Sequence, residues 1–271
     1  MTLTRSPRPV IMATITTTHH TTTKWCGKKS HYILTDTLPN DIILAYYQKN
    51  LITTLLNPFK RKNMANTTDY SIYADFLARL QSANSEEEKS WMLMEFSLNQ
   101  LPPTVSEAVW VAAIPHQFDE NFLSALLEND LTNEDWKILL NQSYIEHLWD
   151  GGNAVHESTR YTLLVKLFQD NPQHYRELNL RAANCCLQQN QEELHWQVAT
   201  LYHQSLADSV GIEVDLHNQL SDWWNKFQCD KIEALIRPIL EEVKLQHVND
   251  NISAVILHWQ HILESKKAKT K

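Results

Sequence analysis

The stretch that decides the fold is residues 101–160, LPPTVSEAVWVAAIPHQFDENFLSALLENDLTNEDWKILLNQSYIEHLWDGGNAVHESTR. It contains three short segments with apolar residues at helical spacing, and each is preceded by a capping residue: Thr104, Asp119 and Thr132. An aromatic segment then leads to an Asp-Gly-Gly-Asn sequence at 150–153, which is typical of a hairpin turn. Because another helical segment follows, the pattern predicts a winged helix with this hairpin as its wing.

The same stretch is strongly acidic. It holds ten acidic residues but only two basic ones, Lys137 and Arg160, so its net charge of −8 equals that of the whole chain. A surface with this charge repels the phosphates of nucleic acids. The charge therefore favours a domain that binds other proteins.

The composition sets further limits on fold and function. With 271 residues, 43 % of them hydrophobic, the chain is long enough to build a core. Its four glycines are too few for a phosphate-binding loop. The small number of glycines also favours a mostly α fold over a sheet protein. The nucleophile and zinc-protease motifs GxSxG and HExxH are absent. The sequence thus predicts no enzyme, no cofactor and no small-molecule substrate.

Cysteine usage and hydropathy indicate a compartment. The four cysteines, Cys26, Cys185, Cys186 and Cys229, show no CxxC pair and no zinc-site spacing. They are expected to be reduced, which fits a cytoplasmic protein. No apolar run reaches the roughly 18 residues that a membrane-spanning helix needs, so no membrane anchor is predicted.

The N-terminal leader, residues 1–63, differs from the rest. Residues 1–35 contain no acid, and the tract at 14–23 is rich in threonine. Such a segment has too few apolar residues to bury, so we expect disorder or poor structure. Its composition also resembles an organelle transit peptide. Alternative starts at Met12 and Met64 keep open that the leader is translated upstream sequence.

Helical periodicity continues after the predicted wing. Capping residues precede two of these helices, namely Asn171 and Asp230, and Ser85 caps an earlier one. A proline inside one helix, Pro238, is expected to kink or break it. Successive helices start roughly fifteen to twenty-two residues apart, which suggests stacked helix pairs, a tetratricopeptide-like α-solenoid.

These patterns divide the chain into five parts. After the leader come a helical hairpin at 64–100, the winged helix at 101–160 and the helical repeats at 161–265. Residues 266–271 form a basic tail.

Several segments resemble one family. The winged-helix stretch, the sequence PQHYRELNLRAANCCLQ at 172–188 and LHWQVATLYHQSLAD at 194–208 are similar to the region downstream of the ATPase core in signal-transduction ATPases with numerous domains, the NACHT-like group. In that family a winged helix ends in a Val-His element with a following Arg and leads into superhelical repeats. The residues that carry this resemblance are Val155, His156, Arg160, Tyr202 and His203.

The resemblance implies a regulatory and sensing part without the ATPase core. The family's phosphate loop and its Mg²⁺-binding acid have no counterpart in this chain. The expected partner is therefore another protein, with a signalling ATPase as one candidate. The five resembling residues are expected to act as structural motif residues.

Two classes of function follow from the sequence. In the first, the chain is a non-enzymatic protein-interaction and regulatory module, and Trp149 beside the wing turn is exposed and contacts the partner. In the second, the winged helix binds DNA through residues 133–143, which offer Lys137, Asn141 and Gln142 to the groove. Two acids near the start of that helix, at 134 and 135, repel phosphate and argue against DNA.

Catalysis and metal binding have weaker support. An enzyme with an unrecognised site stays open as a third possibility. The pair His258 and His261 has the i, i+3 spacing that lets two histidines share one helix face, but no third ligand lies nearby in the sequence. We therefore predict no metal site.

Overall fold

A computed structural model of the chain describes residues 67–149 and 151–269, with side chains described for 75–149 and 151–268. The predictions made for the leader at 1–63 lie outside the described residues. Within the described part the protein is mostly helical, with eleven helices and one two-stranded sheet. The elements are α1 (Thr67–Ser82), α2 (Glu86–Leu98), α3 (Pro103–Ala112), α4 (Glu120–Leu126), α5 (Asn133–Leu140), β1 (Ile145–His147), β2 (Asn153–Val155), α6 (Glu157–Asp170), α7 (Pro172–Leu187), α8 (Leu194–Leu206), α9 (Ile212–Asn225), α10 (Cys229–Lys244) and α11 (Asp250–Lys269).

Four predicted caps are present at the starts of helices. The side chains of Ser85, Asp119 and Asn171 each accept a hydrogen bond from a backbone N–H in the first turn of α2, α4 and α7. At α5, Thr132 and Asp135 form a reciprocal capping box, in which each side chain accepts from the other residue's backbone N–H. These bonds satisfy donors that a helix start leaves without an intrahelical partner.

Two other predicted caps are wrong. Helix α3 begins at Pro103 with Pro102 in the cap position, so Thr104 lies inside its first turn and caps nothing. A proline suits this first position because it lacks the N–H that would need a cap. Helix α10 begins at Cys229, so Asp230 also lies within the first turn and is not the cap. Its negative charge there interacts favourably with the helix dipole.

Of the two outcomes predicted at Pro238, a kink or a break, the break does not occur, since α10 continues through this residue. Proline in a helix interior removes one backbone hydrogen bond and costs about 3 kcal/mol. The apolar side chains on both sides of it, including Leu235 and Ile239, are fully buried. Their burial outweighs the loss of that hydrogen bond.

The hairpin forms where the sequence predicts it, with a third extended segment beside it. Strands β1 and β2 are antiparallel, and Ile145 lies opposite Val155. Phe118, between α3 and α4, forms a two-way backbone bridge with Asn153, and both of its N–H···O distances are 2.8 Å. The chain order is therefore helix, bridge, helix, helix, hairpin, helix. Asn153, predicted as part of the turn, belongs to β2.

A single hydrophobic core runs through the described residues and links the hairpin region to the later helices. Helix α4 packs on α7, and both α2 and α3 pack on α6. Helix α7 packs on α8, α10 on α11, and α9 on both of the last two helices. The predicted boundary at residues 160 and 161 therefore falls inside α6, a helix shared by both parts.

Helix α11 continues to residue 269 and so extends into the predicted basic tail at 266–271. Among the helices of the described residues, none is long and apolar enough to cross a membrane.

Candidate functional site

A network of buried polar side chains connects the later helices. Its centre is Glu242 on α10, whose exposed fraction is only 4 %. Tyr202 Oη on α8 donates to Glu242 Oε1 at 2.7 Å, and Tyr175 Oη on α7 donates to Oε2 at 3.3 Å. His247 Nδ1, just after α10, lies 2.7 Å from the same Oε2. One carboxyl group thus receives hydrogen bonds from three parts of the chain.

Arg160 on α6 extends this network to the hairpin region. Its Nη2 donates to Tyr202 Oη at 3.1 Å and to the backbone carbonyl of Ile114, just after α3, at 3.0 Å. The Tyr202 hydroxyl accepts a hydrogen bond from Arg160 and donates one to Glu242. It therefore links the guanidinium group to the carboxylate. The Arg160 Nε atom is buried and makes no hydrogen bond to any residue that the structure describes. Arg160 therefore connects residues 101–160 to the helices that follow.

Electrostatics keep Glu242 ionised despite its burial. Burial alone raises the pKa of this carboxyl group, because it removes water from the charge. The hydrogen bond from His247 and the charge of Arg160 outweigh burial, so the pKa of Glu242 lies below its usual value. The positive charge of Arg160 and the negative charge of Glu242 therefore offset each other inside the protein.

Two histidines beside Arg160, the buried His203 and the half-buried His116, are held neutral. Burial, supported by the charge of Arg160, lowers the pKa of His203 to about 3 and lowers the pKa of His116 well below its usual value. The tautomer of His203 follows from its neighbour Asn179, whose Nδ2 donates to the Tyr175 carbonyl at 2.9 Å. Asn179 Oδ1 therefore faces His203 Nδ1 at 2.9 Å and accepts the proton that Nδ1 carries.

A small cavity lies beside these histidines. Its volume is about 30 Å³, which is room for one or two water molecules and too little for a cofactor. Three histidines and a cysteine are among its lining residues, namely His116, His195, His203 and Cys186. Within the described residues, no group of three or more His, Cys, Asp or Glu side chains has the arrangement to hold a metal ion. We therefore assign no ligand to this cavity.

Comparison of the chain with protein-family models, with curated proteins and with solved structures finds no match. The resemblance to signal-transduction ATPases therefore stays a prediction that rests on the residues themselves.

The five residues that carry that resemblance lie in two places. Arg160, Tyr202 and His203 come together in and around the buried network. Val155 is buried at the end of β2. His156 caps α6: its Nδ1 accepts from the backbone N–H of the second residue of that helix, and its Nε2 lies 3.4 Å from a carboxylate oxygen of β1.

The four predicted partner-contact residues lie near one another in sequence but differ in exposure. Trp149, in the turn after β1, is 64 % exposed, and Lys137 and Asn141 are exposed as well. Gln142 is half-buried, and its amide donates to the Ile138 carbonyl at 2.8 Å. That bond joins the Gln142 amide to the last turn of α5 and satisfies one of its donors.

Sequence reasoning missed Tyr175, Asn179, Glu242 and His247. For Glu242 a signal was present, since it lies seven residues after Leu235 and three after Ile239 on the buried face of α10. An acid at an apolar position of a helix needs a buried partner. The sequence does not say which partner, because Tyr202 and Tyr175 lie 40 and 67 residues away.

Proposed function

We propose that this chain is a non-enzymatic protein-interaction and regulatory module, related to the winged-helix and repeat part of signalling ATPases. The order of helix, bridge, two helices and hairpin in residues 101–160 supports a winged helix. The packing of α7 on α8 and of α10 on α11 supports tetratricopeptide-like helix pairs. In this proposal the winged helix and the helix pairs act together, because Arg160 donates hydrogen bonds to a residue of each.

The observation that carries the proposal is the exposure of Trp149 at the turn of the hairpin. Its indole is 64 % exposed, whereas Trp223 and Trp259 are buried in the core. Tryptophan is enriched among the residues that dominate protein–protein binding energy, because a partner can remove its large apolar surface from water. The wing turn is therefore the proposed contact with a protein partner, for which a signalling ATPase is one candidate.

Charge supports a protein partner over nucleic acid. Of the two basic residues in this stretch, Arg160 is occupied by the buried network, so Lys137 is the exposed one among its described residues. Helix α5, which would enter a DNA groove, carries Glu134 and Asp135 in its first turn. Exposed acids lie throughout the stretch, namely Glu107, Asp119, Glu120, Glu128, Asp130, Glu134, Glu146 and Glu157. Phosphates approaching this surface would be repelled.

Affinity capture with the full chain tests the proposal. The wild type, Trp149→Ala and Phe227→Ala are each used to capture proteins from native lysate, with and without nuclease. Phe227 is a matched control, because it is 84 % exposed but lies between α9 and α10, away from the hairpin in sequence. We expect a stoichiometric, nuclease-resistant protein that is retained by Phe227→Ala and lost from Trp149→Ala.

Two outcomes would count against the proposal. Recovery that disappears with nuclease would favour DNA binding through Lys137, Asn141 and Gln142. Equal capture by wild type and Trp149→Ala would rule out the wing turn as the contact.

A further inference from the structure

A lysine amine contacts a cysteine sulfur where the last two helices meet. Lys266 Nζ, near the end of α11, lies 3.0 Å from Sγ of Cys229, the first residue of α10. The two residues are 37 positions apart in sequence. The contact therefore joins the beginning of α10 to the end of α11.

Neighbouring contacts hold this pair in place. Lys266 Nζ also lies 5.0 Å from the ring centroid of Trp224, in the range of a cation–π contact. The next residue, Lys267, pairs with Glu233 on the first turns of α10 at 3.0 Å. Two successive lysines thus bind the end of α11 to the start of α10, and the amine stays close to the sulfur.

The pair lies at the surface of the protein. Lys266 is exposed and Cys229 is half-buried. Burial raises the pKa of Cys186 to about 12 and raises the pKa of Cys185, so both remain thiols at neutral pH, and the thiol is the unreactive form.

We propose that Cys229 and Lys266 form a reversible covalent crosslink, a sulfur–nitrogen bond, when the protein meets a peroxide. In the first step the Cys229 sulfur attacks one peroxide oxygen, the O–O bond breaks, and the other oxygen leaves as water. The sulfur is oxidised by two electrons to a sulfenic acid, and the peroxide is reduced.

In the second step the Lys266 ammonium gives one proton to water, and the nitrogen lone pair then attacks the sulfur of the sulfenic acid. The S–N bond forms, the S–O bond breaks, and the hydroxyl leaves as water with a proton taken from the amine. Sulfenic acids condense with nitrogen nucleophiles in this way to give sulfenamides. A thiol reductant then attacks the sulfur, releases the amine and restores the thiol through a mixed disulfide.

The crosslink would join the start of α10 covalently to the end of α11. It closes a loop of chain between residues 229 and 266, and closing a loop restricts the unfolded chain more than the folded one. The oxidised protein is therefore expected to unfold at a higher temperature than the reduced one.

Peptide mass spectrometry of the full chain tests the proposal. The protein is treated with hydrogen peroxide, its remaining thiols are blocked, and it is digested with trypsin. We expect peptide 227–231 joined to peptide 245–267, with a mass equal to the sum of the two less two hydrogen atoms. Treatment with dithiothreitol should separate them.

Matched variants identify the two atoms. Lys266→Arg and Cys229→Ser should each abolish the joined peptides, whereas Lys267→Arg should retain them, because its contact is with Glu233. Three results would overturn the proposal: a joined species one oxygen heavier, a disulfide to another cysteine, or Cys229 oxidised to sulfinic acid with Lys266 unmodified.

Discussion

Tyr202 donates a hydrogen bond of 2.7 Å to Glu242 across 40 residues of sequence, and both side chains are buried. The same hydroxyl accepts a hydrogen bond from Arg160, so it lies between the positive and the negative charge of the network. A phenol in this position satisfies both charged groups with one oxygen atom. The network therefore depends on that hydroxyl more than on the aromatic ring.

Removing the hydroxyl should cost stability. We expect Tyr202→Phe to lower the free energy of unfolding by about 2 kcal/mol, because a hydrogen bond to a buried charged group contributes about 1.5 to 3 kcal/mol. Tyr161→Phe is the matched control, since that ring is 51 % exposed, and it should change stability by less than about 0.5 kcal/mol. Urea denaturation measures both. Equal effects of the two variants would contradict the network.

The neutral histidines predict a pH dependence between about 6.5 and 3. The unfolded chain binds a proton at His203 below its ordinary pKa of about 6.5, whereas burial keeps the folded residue neutral down to a pKa of about 3. Stability is therefore full above pH 6.5 and falls as the pH decreases. Each such histidine contributes a slope of up to about 1.4 kcal/mol per pH unit.

Replacing one of these histidines tests that slope. In His203→Gln, the unfolding free energy measured between pH 6.5 and 5 should fall less steeply than in the wild type. His116 should maintain part of the slope, because its pKa is also lowered. An unchanged slope would show that the folded protein takes up the proton at His203.

The carboxylate of Glu242 affects stability at lower pH than the histidines do. The lowered pKa of Glu242 means that its contribution is present above the unfolded pKa of 4.5 and is lost as the pH falls below it. We expect Glu242→Gln to reduce stability at pH 7 by about 3 kcal/mol, because removing the carboxylate charge leaves the half-buried Arg160 without its counter-charge. The difference from wild type should shrink below pH 4.5. Thermal or urea unfolding at a series of pH values checks this.

The two threonines predicted as caps should behave differently. Thr132 makes the capping box of α5, so Thr132→Ala should cost about 1 kcal/mol. Thr104 lies exposed inside α3 and makes no cap bond, so Thr104→Ala should change stability by less than about 0.5 kcal/mol. Chemical denaturation of the two alanine variants compares them directly. A cost at Thr104 equal to that at Thr132 would show that α3 begins two residues later, with Thr104 as its cap.

Features that depend on neighbouring residues were predictable from the sequence. The caps at Ser85, Asp119, Thr132 and Asn171 follow from side chains that bond within one helical turn. The hairpin follows from its glycines, of which Gly151 has a φ of 89°, a value that favours glycine. In these cases hydrogen bonds and steric contacts between neighbouring residues select the conformation.

Features that depend on distant residues were not predictable. The bridge between Phe118 and Asn153 is a single pairing without strand periodicity, so no pattern marks it. The burial of Glu242 requires groups from α6, α7 and α8 at the same place. At the start of α3 two local signals competed, and the proline prevailed over the Thr104 cap because it needs no capping bond.

The sharing of one hydroxyl between Arg160 and Glu242 also constrains how this sequence can diverge. An apolar replacement of Glu242 alone leaves the half-buried arginine without a counter-charge. Replacement of Arg160 alone removes one of the charges that keep the carboxylate ionised. Substitutions at the two positions are therefore coupled and not additive. Descendants of this chain should retain the arginine and the acid together or exchange both, and the tyrosine should change to phenylalanine only where both charges are gone.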